Sequence, residues 1–289
     1  MTDATSALRP RTVAAIHPAI RDDIGDLVTR RPLPNRRLPA LDPFLFLNHH
    51  GPQTYEPNNR GLPFGPHPHR GFETVTFILA GELAHLDTGG HESIIGAGGV
   101  QWMTAGRGLV HSELSPERFK QSGGPLEILQ LWLNLPARLK MADPNYTGLQ
   151  ADGIPAIERD GAKIFLSSGR IDGVEGPFAS ITDTTMLTAA IEPGATLSLP
   201  APAGRKVFLY VVRGAIDIGG THVDALNLAA LTDGDTVEIA SSTGAFLLFG
   251  HADPIGEPIV AHGPFVMNSE AEIVQAIRDY QSGSFGSFG

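Results

Sequence analysis

The sequence has no cysteine among its 289 residues. Disulfides, thiolate metal sites and cysteine nucleophiles are therefore excluded, and any metal must be held by nitrogen and oxygen. Basic charge is also scarce. The formal net charge is −10, there is no long lysine–arginine run, and the pairs Arg30-Arg31 and Arg36-Arg37 sit in a proline-rich stretch. That balance disfavours a nucleic-acid surface, so no direct nucleic-acid partner is expected. No apolar run approaches the roughly 18 residues that suggest a membrane-spanning helix. The first residues, Met1 to Pro10, are polar and lack the apolar stretch of a signal peptide. Together these features predict a soluble, cytoplasmic protein that does not engage a membrane.

What the chain does have is turn residues and short apolar runs. It carries 34 glycines and 23 prolines, and 42% of its residues are hydrophobic, enough for a sizeable core. Five stretches read as strands: Thr74–Leu79, Leu126–Leu133, Lys163–Leu166, Val207–Val212 and Phe246–Phe249. Many short strands between turns indicate an all-β barrel or sandwich. One helix is expected near the end. Ser269 and Glu272 form a capping box, and Ile273, Ala276, Ile277 and Tyr280 give the apolar face. The glycine–serine–phenylalanine segment Gly283–Gly289 reads as a loose tail.

The chain also repeats itself. Val75–Gly81 (VTFILAG) and Phe208–Gly214 (FLYVVRG) each end a strand at a glycine, and each precedes a hairpin, at Gly89-Gly90 and Gly219-Gly220. Two tandem β-barrels follow, with a junction around Met141–Gly153, where Asp, Pro, Asn and Gly cluster. The divisions are 11–142 for the first domain, 150–268 for the second and 269–281 for the helix.

The most informative chemistry lies in the first half. His67 and His69 form an i, i+2 pair, as do His111 and Glu113. Side chains at i and i+2 of a strand share a face, so two facing strands would gather three imidazoles and one carboxylate. That set suits one divalent transition metal, and the residues leave Fe(II), Mn, Ni, Co, Cu and Zn open. Four ligands on an octahedral ion leave two positions, enough for a bidentate substrate or for a substrate and O₂. Pro68 restricts its segment to a sheet edge or a strand start. Glu73 shares strand parity with His69 and competes with Glu113, its other reading being a salt bridge with Arg70 or Arg107. Aligning Gly81 with Gly214 puts Pro200 and Pro202 where His67 and His69 stand, and the counterparts of His111 and Glu113 near Gly244 and Phe246. One metal for two barrels is the economical reading. His49 and His50 read as a pocket mouth or a solvated turn, His85 as a hydrogen-bonded neighbour of the site or a surface residue, and His91 as a hairpin residue. Gly96–Gly99 lacks the lysine of a phosphate loop, and no nucleophile elbow surrounds Ser112.

At these residues the chain resembles the pirin family, bicupin proteins of the cupin superfamily. The resemblance rests on Asp42–Leu45, His67–Thr76, Gln101–Gly108 with His111 and Glu113, Leu129–Pro136, Glu257–Val260 and His262–Asn268. It implies two tandem cupin (jelly-roll-type) β-barrels with a C-terminal helix. The N-terminal cupin would bind metal and the C-terminal cupin would be metal-free. It implies iron as the metal, with His67, His69, His111 and Glu113 as ligands, favouring Glu113 over Glu73. It implies a dioxygenase resembling quercetin 2,3-dioxygenase, which opens a flavonol ring with O₂ and releases CO, with Glu113 as the catalytic base. The alternative is an iron-dependent redox regulator that binds a transcription factor or a metabolic enzyme without catalysis. Asn48-His49-His50 and the tail Ser282–Gly289 depart from the family pattern.

Overall fold

Runs rich in Val, Ile, Leu and aromatics, cut by glycine and proline, fold into short antiparallel strands. The computed structural model describes residues 7–288. Its early strands are β1 (Val13–Pro18), β2 (Ile20–Arg21), β3 (Thr29–Leu33), β4 (Phe44–Tyr55), β5 (Phe64–His69) and β6 (Phe72–Ala80). There follow β7 (Glu82–Asp87), β8 (Glu92–Gly96), β9 (Val100–Thr104), β10 (Leu109–Leu114), helix α1 (Glu117–Ser122), β11 (Gly124–Asn134) and β12 (Asn145–Leu149). The second half contains β13 (Ala156–Arg159), β14 (Ala162–Ser168), β15 (Arg170–Ile171), β16 (Val174–Glu175), β17 (Thr185–Ile191) and β18 (Thr196–Pro200). It continues with β19 (Lys206–Ile218), β20 (Thr221–Asp224), β21 (Asn227–Leu231), β22 (Thr236–Ala240) and β23 (Ala245–Ala252). The chain ends with β24 (Val260–His262), β25 (Phe265–Met267) and helix α2 (Glu270–Gln281). All five expected strands and the expected helix are present. Ser269 accepts a hydrogen bond from the Glu272 backbone N–H, as the capping box requires.

Contacts divide the chain into two units, each made from two segments. The first unit joins Ile20–Ile154 to the segment from Ile255 onward. The second joins residues up to Ala19 to Pro155–Pro254. This grouping differs from the linear division at 11–142, 150–268 and 269–281 because each chain end finds its backbone partners elsewhere. β1 pairs with β21, with Ile16 opposite Ala229. The buried Arg11 donates to the carbonyls of Ala201, Thr232 and Pro202. At the other end, the Val266 N–H donates to the Arg70 carbonyl. The buried Lys140 ammonium donates to the carbonyls of Gly71 and Val266 and to the Asn134 side chain. The expected junction also contains β12, which pairs with β9.

Both units are jelly-roll-like, with sheets that do not close into barrels. The first has a sheet ordered β12-β9-β6-β11-β4-β3-β2 and another ordered β5-β10-β7-β8. The interior of the second is aliphatic, filled by Leu197, Leu199, Ile216, Ile218, Val223, Val237, Ile239 and Leu247. Pro200 lies opposite Thr236 on β22, as His67 lies opposite His111. The counterpart of His111 is therefore Thr236, and the expected position near Gly244 is corrected. A fixed offset fails because the segment from Gly214 to Thr236 is shorter than that from Gly81 to His111, the replacement of Thr88–His91 by Gly219-Gly220 being one of the shortenings.

The expected loose tail is corrected too. Phe285 is buried, and the Thr88 hydroxyl donates to its carbonyl at 2.6 Å. Gly289 lies outside the described residues. Among those residues, no helix is long and apolar enough to cross a membrane.

Candidate metal centre

β5 is an edge strand, which accommodates Pro66 and Pro68 without losing ladder donors that a central strand would need. β10 lies between β5 and β7. Its His111 is opposite His67 on one side and Asp87 on the other, and Leu109 is opposite His69. Directly opposed residues project to the same face, so His67, His69 and His111 converge. Their ring centroids lie 4.4–4.9 Å apart, and one nitrogen of each falls within 4.8 Å of the others. His69 and His111 are buried and His67 is partly buried.

Hydrogen bonding fixes two of the rings. The Gly65 carbonyl lies 2.8 Å from His67 Nδ1, and the Pro264 carbonyl lies 3.3 Å from His69 Nδ1. A carbonyl can only accept, so Nδ1–H donates in each case and Nε2 keeps its lone pair. Both nitrogens of His111 are buried without a hydrogen-bond partner. Burial, reinforced by the neighbouring imidazoles, lowers His69 to about 3 and His111 well below its ordinary value. These rings are neutral at physiological pH, the state in which imidazole binds metal. A buried trio with orphaned nitrogens fits a transition-metal ion, and no other group of three or more potential ligands gathers among the described residues.

Glu113 is not part of the three-nitrogen group. A register shift between His111 and Glu113 places Glu113 opposite Phe64. The Thr76 hydroxyl donates to its Oε1 at 3.2 Å and the Gln130 amide donates to its Oε2. Thr76 and Gln130 face each other across β6 and β11, so both arise from the inward face of the larger sheet. Glu73 faces the opposite side of β6 from Thr76, because the two differ by an odd number of positions. The Thr104 hydroxyl donates to Glu73 at 2.7 Å. Parity with His69 does not carry through, because Arg70-Gly71 interrupts the strands and Gly71 has φ +89°. Arg70 pairs with Asp279 and Arg107 with Asp143.

Other residues surround the cluster. His85 Nε2 lies 2.9 Å from Asp87, and its ring stacks on Tyr146 with centroids 3.8 Å apart. His91 sits in the hairpin and also bonds Asp87. Burial alone would raise Asp87, but hydrogen bonds from His85 and His91 outweigh it and bring the carboxyl down to about 2. His49 and His50 are buried strand residues instead of a solvated turn. His50 Nδ1 bonds Thr29 while its Nε2 has no hydrogen-bond partner, and burial lowers the ring to about 3. Trp132 packs against Phe46 and Phe72, with centroids at 4.6 and 4.4 Å, and against His69 at 5.3 Å. This gives an aromatic wall beside the imidazoles. Sequence reasoning overlooked Thr76, Gln130, Asp87 and Tyr146. The first two carried a signal, as polar side chains at inward positions of otherwise apolar strands.

Comparison with known proteins agrees with this architecture. Residues 26–133 match the Pirin family model, and residues 186–286 match that of the Pirin C-terminal cupin domain. A pirin-like protein from Caulobacter vibrioides is 41% identical, over 85% of this chain and 88% of its own. Human pirin is 36% identical, over 89% of this chain and 87% of its own. The crystal structure of quercetin 2,3-dioxygenase from Acinetobacter baumannii superimposes with a TM-score of 0.91 at 32% identity, covering 96% of this chain and 99% of that one. The chain is a member of the pirin family, built from two cupin units of which the first holds the three-histidine cluster.

Proposed function

We propose that this protein is a metal-dependent dioxygenase of the quercetin 2,3-dioxygenase type, cleaving the central ring of a flavonol with O₂ and releasing CO. The observation that carries this reading is the trio His67, His69 and His111, whose nitrogens gather within 4.8 Å of one another, with both nitrogens of His111 buried and lacking a hydrogen-bond partner. His67, His69 and His111 would hold the ion, with Glu113 beside them as a fourth ligand or a base. The metal would supply a Lewis acid that acidifies a bound hydroxyl. Iron is the metal the family favours, and the nitrogen–oxygen donors also suit the other first-row ions.

The chain's own residues do the remainder. Glu113 takes the 3-hydroxyl proton on a carboxylate oxygen, while Thr76 and Gln130 keep the group aimed. Trp132 and Phe46, both partly exposed and backed by Phe72, offer a flat apolar surface for a planar aromatic substrate and keep water from the reacting ring. The aliphatic second unit takes no part in the chemistry.

The test is to measure bound metal and follow quercetin loss and CO release under air and under nitrogen. Oxygen-dependent turnover is expected for the wild type. His69→Ala should lose both metal and turnover. Glu113→Gln should keep the metal and lower the rate on the order of 10²–10⁴-fold, the usual worth of a general base. A metal-loaded wild type inert toward every flavonol tried would overturn the enzyme reading and direct attention to the redox-regulator function.

A further inference from the structure

We infer that Phe285 is a positioning residue for the metal centre, holding the two ligand-bearing strands from the C-terminal tail. The inference rests on the metal reading above and assigns a role to a segment that the sequence presents as a loose end.

The ligands arrive on β5, which ends at His69, and on β10, which begins at Leu109. Both strand ends meet at Phe285. Gly108 lies directly beneath its ring, and a Cβ built there would stand 2.5 Å from the ring carbons. Gly108 has φ +125°, a conformation that L side chains avoid. The ring therefore rests on bare backbone three positions before His111. Arg70, the residue after His69, lies under the same ring, its guanidinium carbon 4.7 Å from the centroid. Its Nε donates to the Arg107 carbonyl at 2.6 Å and its Nη1 to Asp279 on α2 at 2.7 Å. One guanidinium thus ties the end of β5, the loop before β10 and the C-terminal helix together, and the phenyl ring caps it.

A second link runs through Thr88. Its hydroxyl donates to the Phe285 carbonyl and accepts from the Val110 N–H at 3.1 Å, one residue before His111. Phe265 and Tyr280 close around the ring, with centroids at 6.0 and 5.8 Å. Removing the ring would uncover Gly108 and strip the cover from the guanidinium, while the histidines themselves would remain. Loss of such outer support costs metal affinity because ligand strands that can separate no longer present their nitrogens at a fixed spacing.

The experiment compares full-length wild type, Phe285→Ala and Phe285→Leu. Co(II) alone is titrated, with affinity from chelator competition and ligand geometry from its visible absorption bands. Phe285→Ala should weaken Co(II) binding on the order of 10-fold and alter the bands, within the 10- to 100-fold range of outer-shell changes. Phe285→Leu keeps the apolar cover but loses the stack on Arg70, and should fall in between; it decides the matter if the alanine variant fails to fold. Wild-type affinity and spectrum in the folded variants would overturn the inference alone. Failure of the wild type to bind Co(II) would overturn the metal reading, and this inference with it.

Discussion

At the residue scale, the site works by what surrounds each imidazole. His67 and His69 have Nδ1 committed to carbonyls, whereas His111 has neither nitrogen committed. Asp87 is the best-supported charge nearby. It accepts from His85, from His91 and from the backbone N–H groups of Gly89 and His91. Its carboxyl lies near 2 in the folded protein against an ordinary 3.8. The ionised form is thus favoured by folding, so this contribution is complete above about pH 4 and disappears as pH falls through 2. Asp87→Asn should cost about 1–3 kcal/mol at neutral pH, the usual worth of hydrogen bonds to a charged group. Denaturant titrations of wild type and variant should converge toward pH 2, and an unchanged difference there would count against the assignment. The three histidines were legible because strand geometry makes i, i+2 spacing speak directly. Glu73 misled because parity holds only within a strand, and Gly71 breaks the chain between His69 and Phe72. Asp87 was silent because its importance arises from a hairpin that folds its own neighbours back onto it.

At the element scale, strands were easier to read than their partners. β6, β11, β14, β19 and β23 follow from β-branched and aromatic runs, and α2 from its cap and apolar face. The order of the strands in each sheet depends on contacts remote in sequence, which no local pattern reports. The fate of the C-terminal segment is the clearest case. It is held to the first unit by Lys140, whose ammonium serves three acceptors in a buried setting. Burial lowers that lysine to about 8. Lys140→Ala leaves the Gly71 and Val266 carbonyls and the Asn134 side chain without this donor. It should destabilise the protein by roughly 2–4 kcal/mol, as lost buried polar networks do. Ser269→Ala removes only the cap of α2 and should cost about 1 kcal/mol. Thermal unfolding that ranks the serine variant below the lysine variant in stability would contradict this account.

At the scale of the whole molecule, two units of one ancestry-like pattern differ in what fills them. The first keeps histidines, Glu113, Thr76 and Gln130 facing inward, and the second packs Leu, Ile and Val in the corresponding space. The first unit therefore carries a titration cost that aliphatic packing does not. His50 and His69 lie near 3 when folded against 6.5 when free, and His111 lies well below its free value. Each is neutral in the folded chain and protonates readily once unfolded. The unfolded state binds more protons from pH 6.5 down toward 3, so stability falls across that window as pH drops. His251 in the second unit, lowered to about 3 chiefly by burial, adds to the same slope. Above pH 6.5 these groups contribute no slope. Bound metal should raise the unfolding temperature by mass action, since it binds the folded arrangement in preference to the unfolded chain. Because protons do not compete for folded His69 until about pH 3, the metal's stabilising effect should persist at pH 5, where the apoprotein has already weakened. Melting curves with chelator and with saturating metal at pH 7.5 and pH 5 measure this directly. A metal-induced rise present at pH 7.5 but absent at pH 5 would show that burial does not keep His69 and His111 neutral in the folded state.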